Sequence, residues 1–239
     1  LSSSIEGLKE IVDKTKAVDM VVVVGAPLLF NNILYNCGYV IFNGKILGIV
    51  PKSFLPNYSE FYEKRWFTEG ANVIDETVDL PFQENIPFGV NLLFCTGDIK
   101  FGVEVCEDLW VTIPPSSYLT LLGANIIGNL SASNELVSKH DYRVDLISNQ
   151  SARCLCSYIY SSAGVHESTT DLLFSGHLLI AENGGVLKEN ERFNRENEVI
   201  TSCVDIFKLN SERLKNLSFR NASLLVPFKA KYINFNFKD

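Results

Sequence analysis

The segment FGVEVCEDLW, residues 101–110, alternates apolar residues with others and then breaks into a cysteine followed by two acids. Alternation of this kind predicts a half-buried strand. The break puts the Cys106 thiol at the strand's end, where α/β folds commonly present a nucleophile on a sharp turn. A thiol there can attack a carbonyl carbon, but Glu104, Glu107 and Asp108 crowd it in sequence, and carboxylates disfavour a thiolate. Such a nucleophile needs a base to take its proton and donors to hold the oxyanion that forms. Lys52 offers the cation. It follows a strand-like run, residues 35–50, that folds over Asn43-Gly44. Asn-Gly between alternating runs signals a hairpin, because a type I′ turn needs positive φ at both central residues. Lys52 is therefore expected at a strand exit, as is Cys106. Taken singly, a cysteine is most often a small buried hydrophobe and a lysine a solvated charge.

Their company is more specific. In order the chain reads VVVVGAPL, ILYNCGYVIFNGKILGIVPKSFLPNYSEFYEKRWF, VEVCEDLW, NLSAS and HESTTDLLFSG. This series resembles the nitrilase-type glutamine amidohydrolase domain of glutamine-dependent NAD synthetases, from residue 1 to the SERL segment at Arg213. The resemblance implies a Glu-Lys-Cys triad: a glutamate base, Lys52 on the tetrahedral oxyanion, and Cys106 forming a thioester with the glutamine side chain. The family's base lies in an upstream Pro-Glu-Leu segment, and no such motif occurs in this chain. Glu6 and Glu10 fall in an amphipathic helical pattern and are expected on its exposed face. Glu60, two helical turns beyond Lys52, matches a second glutamate of such sites; its bland alternative is an i,i+4 surface pair with Lys64, worth a few tenths of a kcal/mol.

The same resemblance assigns the amino-acid end of glutamine to Tyr58 and Glu107, an apolar wall to Trp110 and the α-carboxylate to Ser133. A cation expected six residues past that serine, often arginine, is here Lys139. Lysine is a point charge and cannot make arginine's bidentate fork. Structural rivals are core packing for Tyr58 and Trp110 and a helix cap for Ser133. The backbone N–H of Glu107, following the nucleophile, is the expected second oxyanion donor.

Composition excludes other classes. The chain has 239 residues, 46% of them hydrophobic and 21% charged, as in ordinary globular proteins that bury a sizeable core. A net charge of −7 argues against a nucleic-acid surface, and the Lys64-Arg65-Trp66 cluster is too small to change that. The longest apolar run, residues 20–30, is too short to span a bilayer and contains proline. The six cysteines are scattered, which suits reduced thiols in a cytoplasmic protein. Cys154-Leu-Cys156 lacks the spacer of a zinc knuckle, and His140, His166 and His177 show no ligand spacing, so no metal is expected.

Strands are expected at 19–29, 35–50 as a hairpin, 88–105 as a second hairpin turning near Thr96-Gly97, 125–130, 157–163, 172–181 turning at Asn183-Gly184 into 186–187, and 198–206. Helices are expected at the N-terminus, from Pro114-Pro115 through 122, at 134–154 and at 211–217. Residues 57–65 read as helix or loop and 67–83 as irregular surface. Alternating helices and strands favour two sheets covered by helices, and the family's four-layer αββα sandwich, here lacking its first strands and helix, agrees. Residues 1–225 would be the carbon-nitrogen hydrolase domain. Residues 226–239 would be an extended tail, able to dock on another subunit of a homo-oligomer or to lead towards a synthetase domain.

The implied function is a glutaminase module that supplies ammonia for making NAD from deamido-NAD. ATP and Mg would belong to the synthetase domain, whose Ser-Gly-Gly loop is not in this sequence; the glutaminase step needs no cofactor. The alternatives are a free-standing amidase or carbamoylase, and an inactive assembly module. The Leu-Ser-Ser-Ser start suggests the middle of a longer protein.

Overall fold

A computed structural model describes residues 1–237. Its strands form two sheets, of five and seven strands, in a chain that divides into two units.

The first unit comprises residues 1–97 and 230 onwards. Helix α1 (Ser2–Lys14) buries Leu8 and Val12 against the apolar face of a five-stranded sheet, with Glu6 and Glu10 exposed. Strands β1 (Val21–Phe30), β2 (Ile33–Phe42) and β3 (Lys45–Pro51) pair antiparallel in sequence order, followed in space by β5 (Gln83–Phe88) and β4 (Glu76–Leu80). The expected Asn-Gly hairpin forms: Asn43 has φ of 47° and Gly44 of 74°. Residues 67–83, expected to be irregular, contain β4. Only Val78 and Leu80 of it face inward, too few positions for a periodic signal. The residue-88 start of the second hairpin also shifts, since Phe88 closes β5 and the next strand is β6 (Leu92–Thr96). The tail does not stay unpaired. Strand β12 (Lys231–Asn234) runs parallel to β6, and Phe235 and Phe237 pack on Phe42 with ring centroids 4.9 and 5.4 Å away. Pairing within the chain relieves the exposed edge that an extended apolar tail would carry.

The second unit, residues 98–229, carries parallel strands β7 (Ile99–Val105), β8 (Ile126–Ser131) and β9 (Ser157–Ser162). Antiparallel β10 (Leu178–Glu182) and β11 (Gly185–Glu189) extend the row. The crossovers carry α2 (Pro115–Leu121), which starts on proline as expected, and α3 (Lys139–Arg153). Helix α3 begins five residues later than the sequence suggests. Ser138 lies in the left-handed region at φ 65°, and Glu135 N–H donates to Leu173 O, so residues 134–138 are held as a loop. The strand expected at 172–181 shortens to β10, because Gly176 turns at φ 68° and Ser168 Oγ accepts from Phe174 N–H. Residues 198–205 are not a strand: Val199 is 85% exposed, and Asp205 caps α4 (Ile206–Lys215) by accepting from Lys208 N–H. Helix α5 (Leu217–Ala222) follows. Arg213 of α4 donates to the carbonyls of Leu155, Gly123, Ala124 and Cys154. It thereby fastens the C-terminal ends of α2 and α3, where a cation is electrostatically favoured.

Candidate active site

In the first unit, β3 ends at Pro51 and delivers Lys52, whose side chain is 1% exposed. Its backbone is pinned on both sides: Lys52 N–H donates 2.8 Å to Asn36 O, and Gly70 N–H donates 2.8 Å to Lys52 O. Gly70 must be glycine for this approach, since a β-carbon there would lie 2.5 Å from Pro51 Cβ. The ammonium donates to Glu63 Oε2 at 2.7 Å. A buried lysine with an ion partner is not the solvated charge of the bland reading. Glu63 was not among the sequence candidates. Residues 58–60 turn instead, with Ser59 at φ 51° and Phe61 N–H closing on Tyr58 O, and a 3-10 turn begins only at Glu63, so helical spacing misplaces the acids. Glu60 is half-buried, and Lys64 pairs with Glu69 at 2.8 Å. Tyr58 is 54% exposed and touches Phe61 edge-on, which removes the core-packing alternative.

In the second unit, Cys106 follows the last residue of β7 directly and has φ of 50°. Left-handed backbone at a non-glycine residue costs on the order of 1–3 kcal/mol and collects at functional turns. Among the described residues, Cys106 and Cys203 are the two thiols that are not buried. The acids that crowd Cys106 in sequence turn out to be engaged. Asp108 Oδ2 accepts from Val105 N–H at 3.0 Å. Glu104 is 1% exposed; Ser116 N–H donates to it at 2.7 Å, and Tyr158 donates its hydroxyl proton to the other oxygen. Burial raises the Glu104 carboxyl, against the pull of these donors. Asn129 Oδ1 accepts from Cys106 N–H at 3.3 Å, and Asn129 Nδ2 donates to Tyr158 Oη at 2.9 Å.

Glu107 and Trp110 lie in the turn after β7, and Trp110 N–H closes on Glu107 O at 2.8 Å. The structure brings Trp110 and Lys139 together: the ammonium lies 5.0 Å from the indole centroid and also donates to Asn134 Oδ1. Tyr142 flanks the same indole at 5.6 Å. Ser133 is buried beyond the end of β8 and caps no helix, since α3 starts at Lys139. Cys106, Glu107, Trp110, Ser133 and Lys139 thus all follow the carboxyl ends of parallel strands, where open α/β sheets bind ligands.

Beside them lies an ionic centre that sequence reasoning missed. Arg143, fully buried, donates to Glu135 Oε1 at 2.6 Å and to His177 Nδ1 at 2.9 Å. Ser175 and Arg192 also bond Glu135, and these partners overcome burial to hold its carboxyl below the usual range. The motif HESTTDLLFSG therefore acts partly by folding on itself, with Thr169 Oγ1 accepting from Leu172 N–H, and by sending Ser175 into this centre, which His177 enters from the position directly after the motif. His140, His177 and Glu189 hold three metal-competent atoms within 4.8 Å of one another. Arg143, however, fixes the His177 tautomer: a donor at Nδ1 leaves the proton on Nε2, which donates to Glu189 at 2.9 Å. Burial and Arg143 together lower His177 to about 4, so the ring is neutral near pH 7. Glu135→Ala is expected to cost about 3–5 kcal/mol in urea unfolding, because it strands the buried guanidinium.

The second unit thus presents a partly exposed thiol on a strained turn at a strand end, and the first unit a buried lysine at a strand exit. The carbon-nitrogen hydrolase family profile matches residues 3–211. The chain belongs to the carbon-nitrogen hydrolase family. It is 40% identical over 218 residues to a glutamine-dependent NAD(+) synthetase of Mycobacterium leprae, covering 87% of this chain and 32% of that one. Among solved structures it is similar to a glutamine-dependent NAD(+) synthetase from Cytophaga hutchinsonii, with TM-score 0.72 and 31% identity over 82% of this chain and 31% of that one. Saccharomyces cerevisiae Nit3, a member of branch 10 of the nitrilase superfamily, shares the fold at TM-score 0.57 and 17% identity, over 89% of this chain and 69% of that one. The fold is thus the mixed α/β sandwich of two sheets found in the nitrilase superfamily, as the sequence led one to expect. The chain spans about a third of the length of the curated relatives it matches.

Proposed function

We propose that this chain is the glutaminase part of a glutamine-dependent NAD synthetase. The observation that carries the reading is Cys106 held at φ 50° at the carboxyl end of β7, in a chain 40% identical to such a synthetase. In the reaction Cys106 Sγ bonds to the side-chain carbonyl carbon of glutamine while its proton passes through a general base to the departing nitrogen. Lys52 and the backbone N–H of Glu107 donate to the oxyanion. Ammonia leaves, water cleaves the thioester, and glutamate and the free thiol result. Glu60 serves as the acid near substrate and nucleophile, alongside the family's upstream base.

Ser133 and Lys139 receive the α-carboxylate; Tyr58 and Glu107 hold the amino end, and Trp110 forms the wall. Lys139→Ala is expected to raise the KM for glutamine by about tenfold with little change in kcat, since a charge on a non-reacting group serves mainly uniform binding. The thiol step uses no metal, so EDTA should leave ammonia release unchanged. The ammonia serves amidation of deamido-NAD in a synthetase domain, where ATP and Mg act; the assembly is a cytoplasmic homo-oligomer. No helix among the described residues is long and apolar enough to cross a membrane.

The test is ammonia release from L-glutamine, by this chain and by the full-length protein containing it, compared with propionamide, which lacks the α-groups. Preference for glutamine supports the proposal. Equal use of both amides would indicate a general amidase, and no turnover in either form would indicate an assembly module.

A further inference from the structure

The residues beneath Cys106 form a directional chain. Glu104, Asn129 and Tyr160 occupy paired positions on β7, β8 and β9, and Tyr158 lies two residues before Tyr160. Glu104, Asn129 and Tyr158 are 1%, 2% and 0% exposed, so water does not replace their bonds. A carboxylate only accepts, and Tyr158 must point its single proton at it. The phenol oxygen is then left to accept from Asn129 Nδ2. That choice turns Asn129 Oδ1, not its NH2 group, towards Cys106 N–H. With the amide reversed, two donors would face each other and the bond to Cys106 would be lost. Gln150 extends the far end by donating 3.0 Å to Ser116 Oγ, on the residue whose N–H holds Glu104.

We propose that Glu104, Tyr158 and Asn129 are positioning residues for the nucleophile: they set the orientation of the Asn129 amide, which anchors Cys106 N–H and keeps the thiol's turn left-handed. The assignment rests on Cys106 being the glutaminase nucleophile. It explains why a carboxyl group is buried two residues before the thiol yet bonded away from it. It also separates roles among backbone donors, since the amide of Cys106 is spent on Asn129 and does not serve the oxyanion.

The test uses this chain with Cys203→Ser, which leaves Cys106 as the one thiol not buried among the described residues. Amide hydrogen exchange at Cys106 is read by NMR, alongside kcat and KM for glutamine in the full-length protein. Asn129→Leu and Tyr158→Phe should each speed exchange at Cys106 by about tenfold or more while Gly102 and Val103 keep their protection. They should lower kcat by about 10- to 100-fold with KM changed less than about threefold, because a loosened nucleophile fails mainly in the reacting geometry. Unchanged exchange at Cys106 in Asn129→Leu would overturn the proposal, as would an equal rise along all of β7, which is the signature of general destabilisation. Absence of glutamine turnover with the exchange contrast intact would instead remove the glutaminase reading and leave the anchor standing.

Discussion

Cys106→Ala is expected to abolish ammonia release from glutamine, by on the order of 10⁴-fold or more, with the fold intact. The size follows from chemistry: without the sulfur no thioester can form, and what survives is the contribution of binding and oxyanion donors to direct attack by water. The intact fold follows from packing. Cys106 is only partly buried, so removing its sulfur opens no core cavity, and its anchor to Asn129 is made through the backbone N–H, which alanine retains. Alanine also carries the same β-carbon and meets the same left-handed strain, so urea unfolding should move by less than about 1 kcal/mol. Rates and unfolding curves measured on the same preparation decide the matter. Residual turnover within tenfold of the parent would remove Cys106 from the mechanism.

The second large effect is expected at Lys52. Lys52→Met, close in volume, should lower kcat by about 10²- to 10³-fold while leaving KM for glutamine within a few-fold, as loss of one oxyanion donor does. The side chain is 1% exposed and its ammonium meets Glu63 at 2.7 Å, so the charge is held in place before substrate arrives. Glu63→Gln keeps a hydrogen-bond acceptor but removes the counter-charge, and its kcat should fall between parent and Lys52→Met. Glu63 is 27% exposed and can hydrate when Lys52 is gone. Lys52→Met should therefore cost less stability than Glu135→Ala, whose orphaned guanidinium has no such access. A Lys52→Met protein with normal kcat would show that the lysine merely balances Glu63.

Several features were legible because they depend on neighbours in sequence. Asn43-Gly44 demanded positive φ and obtained it. The alternating run into Cys106 predicted a strand ending at the thiol, and β7 ends at Val105. Pro115 opened a helix. The errors also have local causes. Glu63 was overlooked because helical spacing was applied to residues that turn instead, and β4 was overlooked because two inward residues make no period. Helix α3 was started early because nothing in SNELVS announces the left-handed Ser138.

By itself the sequence determined the family, through motifs that resemble it, and, through residue type and short-range periodicity, the alternation of strands and helices and which residues could do thiol chemistry. Only the tertiary structure decided which acids matter to which group. Glu104 meets Tyr158 across 54 positions, and Arg143 meets His177 across 34. Glu104 is close to Cys106 in sequence, yet its carboxylate is bonded into the core. A buried polar group must find a partner wherever the packing supplies one, and in parallel strands joined by helices that partner comes from strands far away along the chain.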